Sequence, residues 1–189
     1  MSPPDLESKA SPDTRFREAL RRHAIGVTVL SYKSGDLVNG MTATSICSLS
    51  AQPPQVLACV NRAARTRNSI LEAGRFAVNI LGVGQREVSE LCSASGLDKH
   101  LDPSLVEHVG EFPFIANALA ALGCQVVQIY EGATHSMIVG DVAEIRIGPR
   151  SLPLIYFEGT YNTARSLGGG DQSASMYEQM LHDMIRSYS

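Results

Sequence analysis

The chain has 189 residues, of which 44% are hydrophobic and 19% charged, with a formal net charge of -3. That length fits one domain, the apolar share is too high for a disordered chain, and the charge lacks the basic excess expected of a nucleic-acid binder. Tryptophan is absent and aromatic residues make up 6%, so a ligand site here must rely mainly on small and polar side chains.

Residues 1–12 are polar and proline-bearing, and read as a disordered arm ahead of the domain. They lack the apolar core of a signal peptide. No apolar run approaches the ~20 residues of a membrane helix, so a soluble cytoplasmic protein with no membrane partner is expected. Asp13 or Thr14 can cap a helix running to about His23, with Phe16, Ala19, Leu20 and His23 on one stripe and Gly26 after it. Residues 27–32 form a β-branched strand, Ser34-Gly35-Asp36 a hairpin turn, and residues 37–50 one long strand. Pro53-Pro54 interrupts the ladder. Residues 55–60 follow as a buried strand. Thr66 is placed to cap a short helix that Gly74 closes. A strand over 75–81 and a helix over 85–92 come next. Residues 93–113 have weak periodicity and read as a mobile loop with at most a helical turn. Strands are expected over 119–131, 136–147 and 154–161. Gly168-Gly-Gly170 reads as a joint. Beyond it, Met176, Met180, Leu181, Met184, Ile185 and Tyr188 recur at helical spacing, as in an amphipathic helix that must dock on an apolar surface. The domain proper is therefore expected over 13–166, with 167–189 as the joint and terminal helix. Six or seven strands without βαβ alternation point to a mainly β fold with short helices, an antiparallel barrel.

Two segments stand out chemically. Residues 39–50 carry Thr42, Thr44, Ser45, Ser48 and Ser50 among small residues. Such hydroxyls can hold a phosphate or a polyol chain without a metal; the same pattern also describes a strand with one wet face. Residues 61–67 carry Arg62, Arg65 and Arg67 at a helix start. That combination suits an anion, and equally a solvated basic loop. The five histidines show no metal-ligand spacing, so no metal is expected. Cys47, Cys59, Cys92 and Cys124 form no C-x-x-C pair and are expected to be reduced structural thiols. Phosphate-loop, nucleophile-elbow and dinucleotide glycine motifs are missing.

Taken in order, several stretches resemble one family. They are Phe16-Arg-Glu-Ala-Leu20 with Gly26-Val-Thr-Val29; Gly40-Met-Thr-Ala-Thr-Ser45 with Ser48-Leu-Ser50; and Pro53-Pro54. Then come Val60-Asn61 with Arg65-Thr66, Phe76-Ala-Val-Asn-Ile-Leu81 with Gln85, Gly132 with His135 and Gly140, and Pro153-Leu-Ile-Tyr-Phe157 with Tyr161. Together they resemble the short-chain flavin reductases of the FMN-binding split-barrel fold, often the reductase components of two-component aromatic hydroxylases. The resemblance implies an antiparallel split barrel that passes a hydride from NADH or NADPH to FMN or FAD. It also implies a homodimer and an oxygenase partner. It places the flavin along Thr42, Ala43, Thr44, Ser45, Ser48 and Ser50. It puts Asn61, Arg65 and Thr66 near the ring and phosphate, Asn79, Gln85 and Tyr161 around the pocket, and His135 on the nicotinamide side. This chain has Ala133-Thr134 before that histidine, where the family usually has Gly-Asp or Gly-Ser, and alanines at 63 and 64, where serine is common. Because the flavin carries the hard chemistry, no essential nucleophile is expected. The rival readings are a non-catalytic flavin-binding electron carrier and a flavin-free split barrel.

Overall fold

A computed structural model describes residues 11–94 and 100–165. The terminal amphipathic helix, the glycine joint and residues 1–10 of the expected arm lie outside the described residues. Residues 11 and 12 do not belong to an arm. Ser11 caps helix α1 (Pro12–Arg21), its Oγ accepting from the Thr14 amide at 3.3 Å, and Pro12 fits the first turn, where no amide is needed. The cap is thus Ser11 rather than Asp13 or Thr14.

The strands are β1 (Ile25–Gly26), β2 (Thr28–Ser34), β3 (Leu37–Ala43), β4 (Ile46–Ala51), β5 (Pro54–Asn61), β6 (Arg75–Ile80), β7 (Val106–Val109), β8 (Phe112–Ile115), β9 (Ala120–Glu131), β10 (His135–Ile147), β11 (Leu154–Phe157) and β12 (Thr160–Thr163). Helix α2 (Arg65–Ala73) lies between β5 and β6, and α3 (Arg86–Ser93) follows β6. Gly74 stops α2 in the left-handed region, at φ 66°.

The main sheet has seven strands in the order β3-β2-β6-β9-β10-β5-β4, and every pairing is antiparallel. Its two edges, β3 and β4, are consecutive in the chain and joined only by Thr44 and Ser45. In a flat sheet those edges would stand roughly 29 Å apart, six steps of about 4.8 Å. The link from Ala43 to Ile46 reaches at most about 11 Å. The sheet must therefore curl until the end of β3 meets the start of β4, with no ladder between the two edges, which makes it the expected split barrel. Register shifts in β10 at Val139/Gly140 and Val142/Glu144 supply curvature. At Gly140, a Cβ would stand 2.8 Å from Cys124 Cβ and 2.9 Å from Phe76 Cζ, so the close approach requires glycine.

The barrel interior holds Leu30, Tyr32, Val60, Phe76, Val78 and Ile138, and Ile70 of α2 packs into it. Outside, the hairpin β7–β8 lays Phe112 and Phe114 against Ala77 and Ala121. A second outer cluster joins Val27, Val29, Leu81, Cys92, Leu101 and Leu154.

Three sequence expectations need correction. The strand over 37–50 is two strands, broken at Thr44–Ser45, because the chain there passes from one sheet edge to the other. The described part of the 93–113 loop contains the β7–β8 hairpin, held by the burial of Phe112 and Phe114. The strand over 154–161 is a hairpin, turning at Glu158 (φ 51°) and Gly159 (φ 82°). Among the described residues, no helix is long and apolar enough to cross a membrane, and no group of His, Cys, Asp and Glu could hold a metal ion.

Candidate functional site

The register of β5 against β10 sets His135 directly opposite Asn61. Both side chains are exposed. Asn61 ends β5 and opens a turn into α2; its Oδ1 accepts from the Ala63 amide at 2.9 Å and its carbonyl from the Ala64 amide at 3.0 Å. The Arg62 amide donates to the Thr134 carbonyl at 3.0 Å, which ties this turn to the one carrying His135. The latter is closed by the Gly132 amide, donating to the His135 carbonyl at 2.8 Å. Thr134 Oγ1 lies 2.8 Å from His135 Nδ1. When Thr134 donates, Nδ1 is the acceptor and Nε2 carries the proton outward.

Helix α2 begins at Arg65, and its N-cap, Ala64, offers no side-chain acceptor. The first-turn amides of α2 therefore lack a side-chain cap and face the turn with a partial positive charge. Thr66 does not cap the helix as expected. It lies buried within it, its hydroxyl 3.0 Å from the Tyr32 hydroxyl.

Glu131, at the end of β9, joins these pieces. Its Oε1 accepts from Arg67 Nη2 at 2.5 Å, its Oε2 from Ser136 Oγ at 2.9 Å, and Arg62 Nε stands 3.3 Å from Oε2. Arg67 Nε also donates to Ser136 Oγ at 2.6 Å. The hydrogen bond from Arg67, then that from Ser136, hold the Glu131 carboxyl below the usual carboxylate range. Sequence reasoning singled out Arg67 but missed its partners Glu131 and Ser136 as site neighbours. Three arginines within seven residues were the available signal, since they call for a counter-charge.

The other expected residues are spread over several parts of the fold. Thr44 and Ser45 form the link at the barrel seam, and the Ser45 carbonyl accepts from the Cys59 amide at 3.0 Å, two residues before Asn61. Ala43 is buried in the barrel core. Thr42 faces α3, donating to the Ser89 carbonyl at 2.6 Å, while Ser89 Oγ lies 2.9 Å from the Tyr161 hydroxyl. Thr42, Thr44, Arg86, Tyr156 and Tyr161 line a cleft of about 540 Å³ between α3 and the β11–β12 hairpin. The Tyr161 ring meets Tyr156 edge to face at 5.5 Å, and Arg86 lies over it at 5.4 Å.

Ser48 and Ser50 line a different cavity, of about 560 Å³, at the apolar barrel mouth with Ile46, Val56, Val78 and Val142. Ser48 pairs with Val56 and Ser50 with Gln55. They therefore lie five or six residues along β5 from Asn61, roughly 17 Å or more away, and are not brought together with His135.

Asn79 and Gln85 stand apart from the His135 end as braces. Asn79 is fully buried; its Nδ2 donates to the Val29 carbonyl (2.9 Å) and Ser31 Oγ (2.8 Å), and its Oδ1 accepts from the Ile115 amide (2.8 Å). Gln85 accepts from the Gly82 amide and donates to the Ala116 carbonyl. Both side chains are engaged within the fold, which leaves Asn79 no surface for a ligand.

Cys92 and Cys124 are buried, and none of the four cysteines forms a disulfide among the described residues. Burial pushes the Cys124 thiol up to about 12, and burial, then the neighbouring Cys47, raises that of Cys59. A buried thiol held that far up is a poor nucleophile, which suits Cys124 to a packing role.

A family model described as "Flavin reductase like domain" matches residues 20–165. The reductase component of 4-hydroxyphenylacetate 3-monooxygenase from Thermus thermophilus is 37% identical over 147 residues, covering 77% of this chain and 93% of that protein. The structure of flavin reductase PheA2 in its native state superposes with a TM-score of 0.75 at 33% identity, covering 82% of this chain and all of that one. A Streptomyces globisporus NADH:FAD oxidoreductase, SgcE6, solved with NAD and FAD fragments, gives 0.74 at 28% identity, covering 84% and 96%.

Proposed function

The chain belongs to the flavin reductase like family, and on that premise we propose that it oxidises NADH and reduces a flavin for use by a partner oxygenase. The observation that carries this reading is the cross-strand pair of His135 and Asn61, beside an arginine-bearing turn and an α2 N-terminus without a side-chain cap.

The residues present suit a phosphorylated, ring-bearing ligand. Arg65 and the first amides of α2 offer charge-assisted and backbone hydrogen bonds to a phosphate. Thr44, Ser45 and the exposed Asn61 offer neutral donors and acceptors beside it. Thr42, Ala43 and Tyr161 contribute by shaping the strand and the adjoining cleft, and Thr66 by fixing α2 against the barrel. Ser48 and Ser50 belong to the same strand path but serve the far mouth. Asn79 and Gln85 hold the framework. His135, oriented by Thr134, positions the nicotinamide.

The flavin, when bound, supplies the redox chemistry. The protein's contribution is to hold two rings in register, which lowers the barrier by several kcal/mol through proximity. Neither an acid nor a base is required of the side chains.

FMN and FAD are both accommodated in this proposal, and NADH is preferred over NADPH because SgcE6 is an NADH enzyme. A homodimer in the cytoplasm completes the reading. It is supported by the uncovered stripe of α1, where Phe16 and Leu20 are 63% and 52% exposed in the single chain.

One assay tests the core of the proposal. Purified protein is mixed with each nicotinamide and excess FMN or FAD, and nicotinamide absorbance is followed. Steady oxidation is expected. A single stoichiometric reduction without turnover would make the protein an electron carrier, and no flavin binding at all would sink the reading.

A further inference from the structure

Glu131 sits where an anion-binding turn would least need a carboxylate. Residues 61–67 bring three arginines and the amide end of α2 to one place, a combination that attracts a phosphate. Yet the Glu131 side chain reaches into that place from the end of β9. One of its oxygens is taken by Arg67 and the other by Ser136 and Arg62. Arg62 is turned further away by its Nη1, which donates to the Gly132 carbonyl at 3.4 Å. Arg67 is anchored again through Nε on Ser136. These contacts bind both guanidiniums to the β9–β10 turn, and the remaining arm of Arg67, Nη1, donates to Asn68 Oδ1 within α2 at 3.2 Å.

We propose that Glu131 sets flavin affinity by holding Arg62 and Arg67 away from the ligand phosphate, which keeps the flavin exchangeable. This rests on the reading above, in which the start of α2 takes that phosphate. A reductase that serves a separate oxygenase must release its product, and a turn with three unopposed arginines would grip a phosphate dianion tightly. Glu131 lowers that grip in two ways. Its charge offsets one of the three positive charges, an effect of a few-fold at partly exposed distances. Its hydrogen bonds also withhold two guanidinium forks that could otherwise close on the phosphate. A purely structural role for the same carboxylate would show as lost stability without selectivity for phosphorylated ligands.

The test is the binding of FMN and of riboflavin, which lacks the phosphate, to wild type and to Glu131→Gln, together with thermal melting. Glutamine keeps the shape and one acceptor oxygen but drops the charge. The expected result is FMN binding about three- to tenfold tighter in Glu131→Gln, with riboflavin binding unchanged and a steeper salt dependence for FMN. Arg62→Ala is the second variant. In the wild-type background it should leave FMN affinity within about twofold, because Arg62 is held by Glu131, whereas in the Glu131→Gln background it should remove part of the gain.

Unchanged or weaker FMN binding in a well-folded Glu131→Gln protein overturns the proposal. So does an equal change for FMN and riboflavin, which would make Glu131 a structural brace. If wild-type protein binds FMN and riboflavin equally well, both this proposal and the phosphate assignment of the α2 turn fail together. Absence of any flavin binding would instead strike at the function itself.

Discussion

Asn79 and Asn61 are the same residue type, and each lies in a strand segment that carries the family resemblance, yet their surroundings differ. Asn79 is completely buried outside the barrel wall, under the β7–β8 hairpin, where it joins β2, β6 and β8 through three hydrogen bonds. Ser31 completes this node by donating to the Pro113 carbonyl. Asn61 stands at the barrel's rim with its side chain in solvent, braced only by a local turn bond. A buried amide with every partner inside the protein is a clamp, because its loss strands those partners. An exposed amide opposite a histidine costs the fold little and remains available to a ligand. Two polar nodes of similar composition therefore differ in kind, one holding the hairpin on the barrel and the other left open to solvent, where the proposed function places the ligand.

That division can be broken experimentally. The largest effect is expected from Asn79→Ala. Stranding the Ile115 amide and two acceptors should cost about 3 kcal/mol, roughly 10 °C in melting temperature, while the folded fraction keeps its KM for NADH. A kinetic defect with unchanged melting would reverse the assignment of the two nodes. His135→Ala should do the opposite. KM for NADH is expected to rise about tenfold, with flavin affinity and melting temperature nearly constant. Collapse of flavin binding would show His135 to be a flavin residue. Thr134→Val removes one exposed hydrogen bond to the imidazole and should raise KM for NADH about two- to threefold, with Thr134→Ser restoring it. An identical KM in all three proteins would mean that the Thr134 hydroxyl does not orient the ring.

The smallest effect concerns pH. The folded-state pKa of Glu131 is lowered, so its contribution to stability is present above the ordinary glutamate pKa and is lost as pH falls through the lower folded value. The melting temperatures of wild type and Glu131→Gln should therefore differ at neutral pH and converge in acid. A gap that is constant with pH would deny Glu131 its ion pairs.

Much of the fold could be read before its coordinates. The β-branched runs that became β2, β5, β6, β9 and β10, the stop at Gly74 and the antiparallel character all followed from local pattern. The break at Thr44–Ser45 did not, because Thr44 favours strands and a single serine is a weak turn signal inside a hydroxyl-rich run; only closure of the sheet demands it. The β7–β8 hairpin was hidden by Pro113 and by a short, irregular pattern, and it exists because Phe112 and Phe114 pack on Ala121 of the next strand and on Ala77, far away in sequence. The site divided in the same way. His135 and Asn61 were each nameable, but they lie 74 positions apart, and only cross-strand register could show them facing each other. Asn79 and Gln85 were conspicuous for the wrong reason. Their polarity serves buried carbonyls and amides, and burial is what a single sequence conveys least well.

The two-residue link between β3 and β4 also sets how the molecule can fail. Because it is short, the free edges of the sheet are delivered to each other within one chain. Lengthening it would relax that constraint and leave the outer edges of β3 and β4 open to neighbouring molecules. Insertions at residues 44–45 should thus turn ring closure into strand exchange between copies, with swapped dimers or open chains of barrels as the product. The seam at Thr44–Ser45 is then also the feature expected to keep the protein from polymerising.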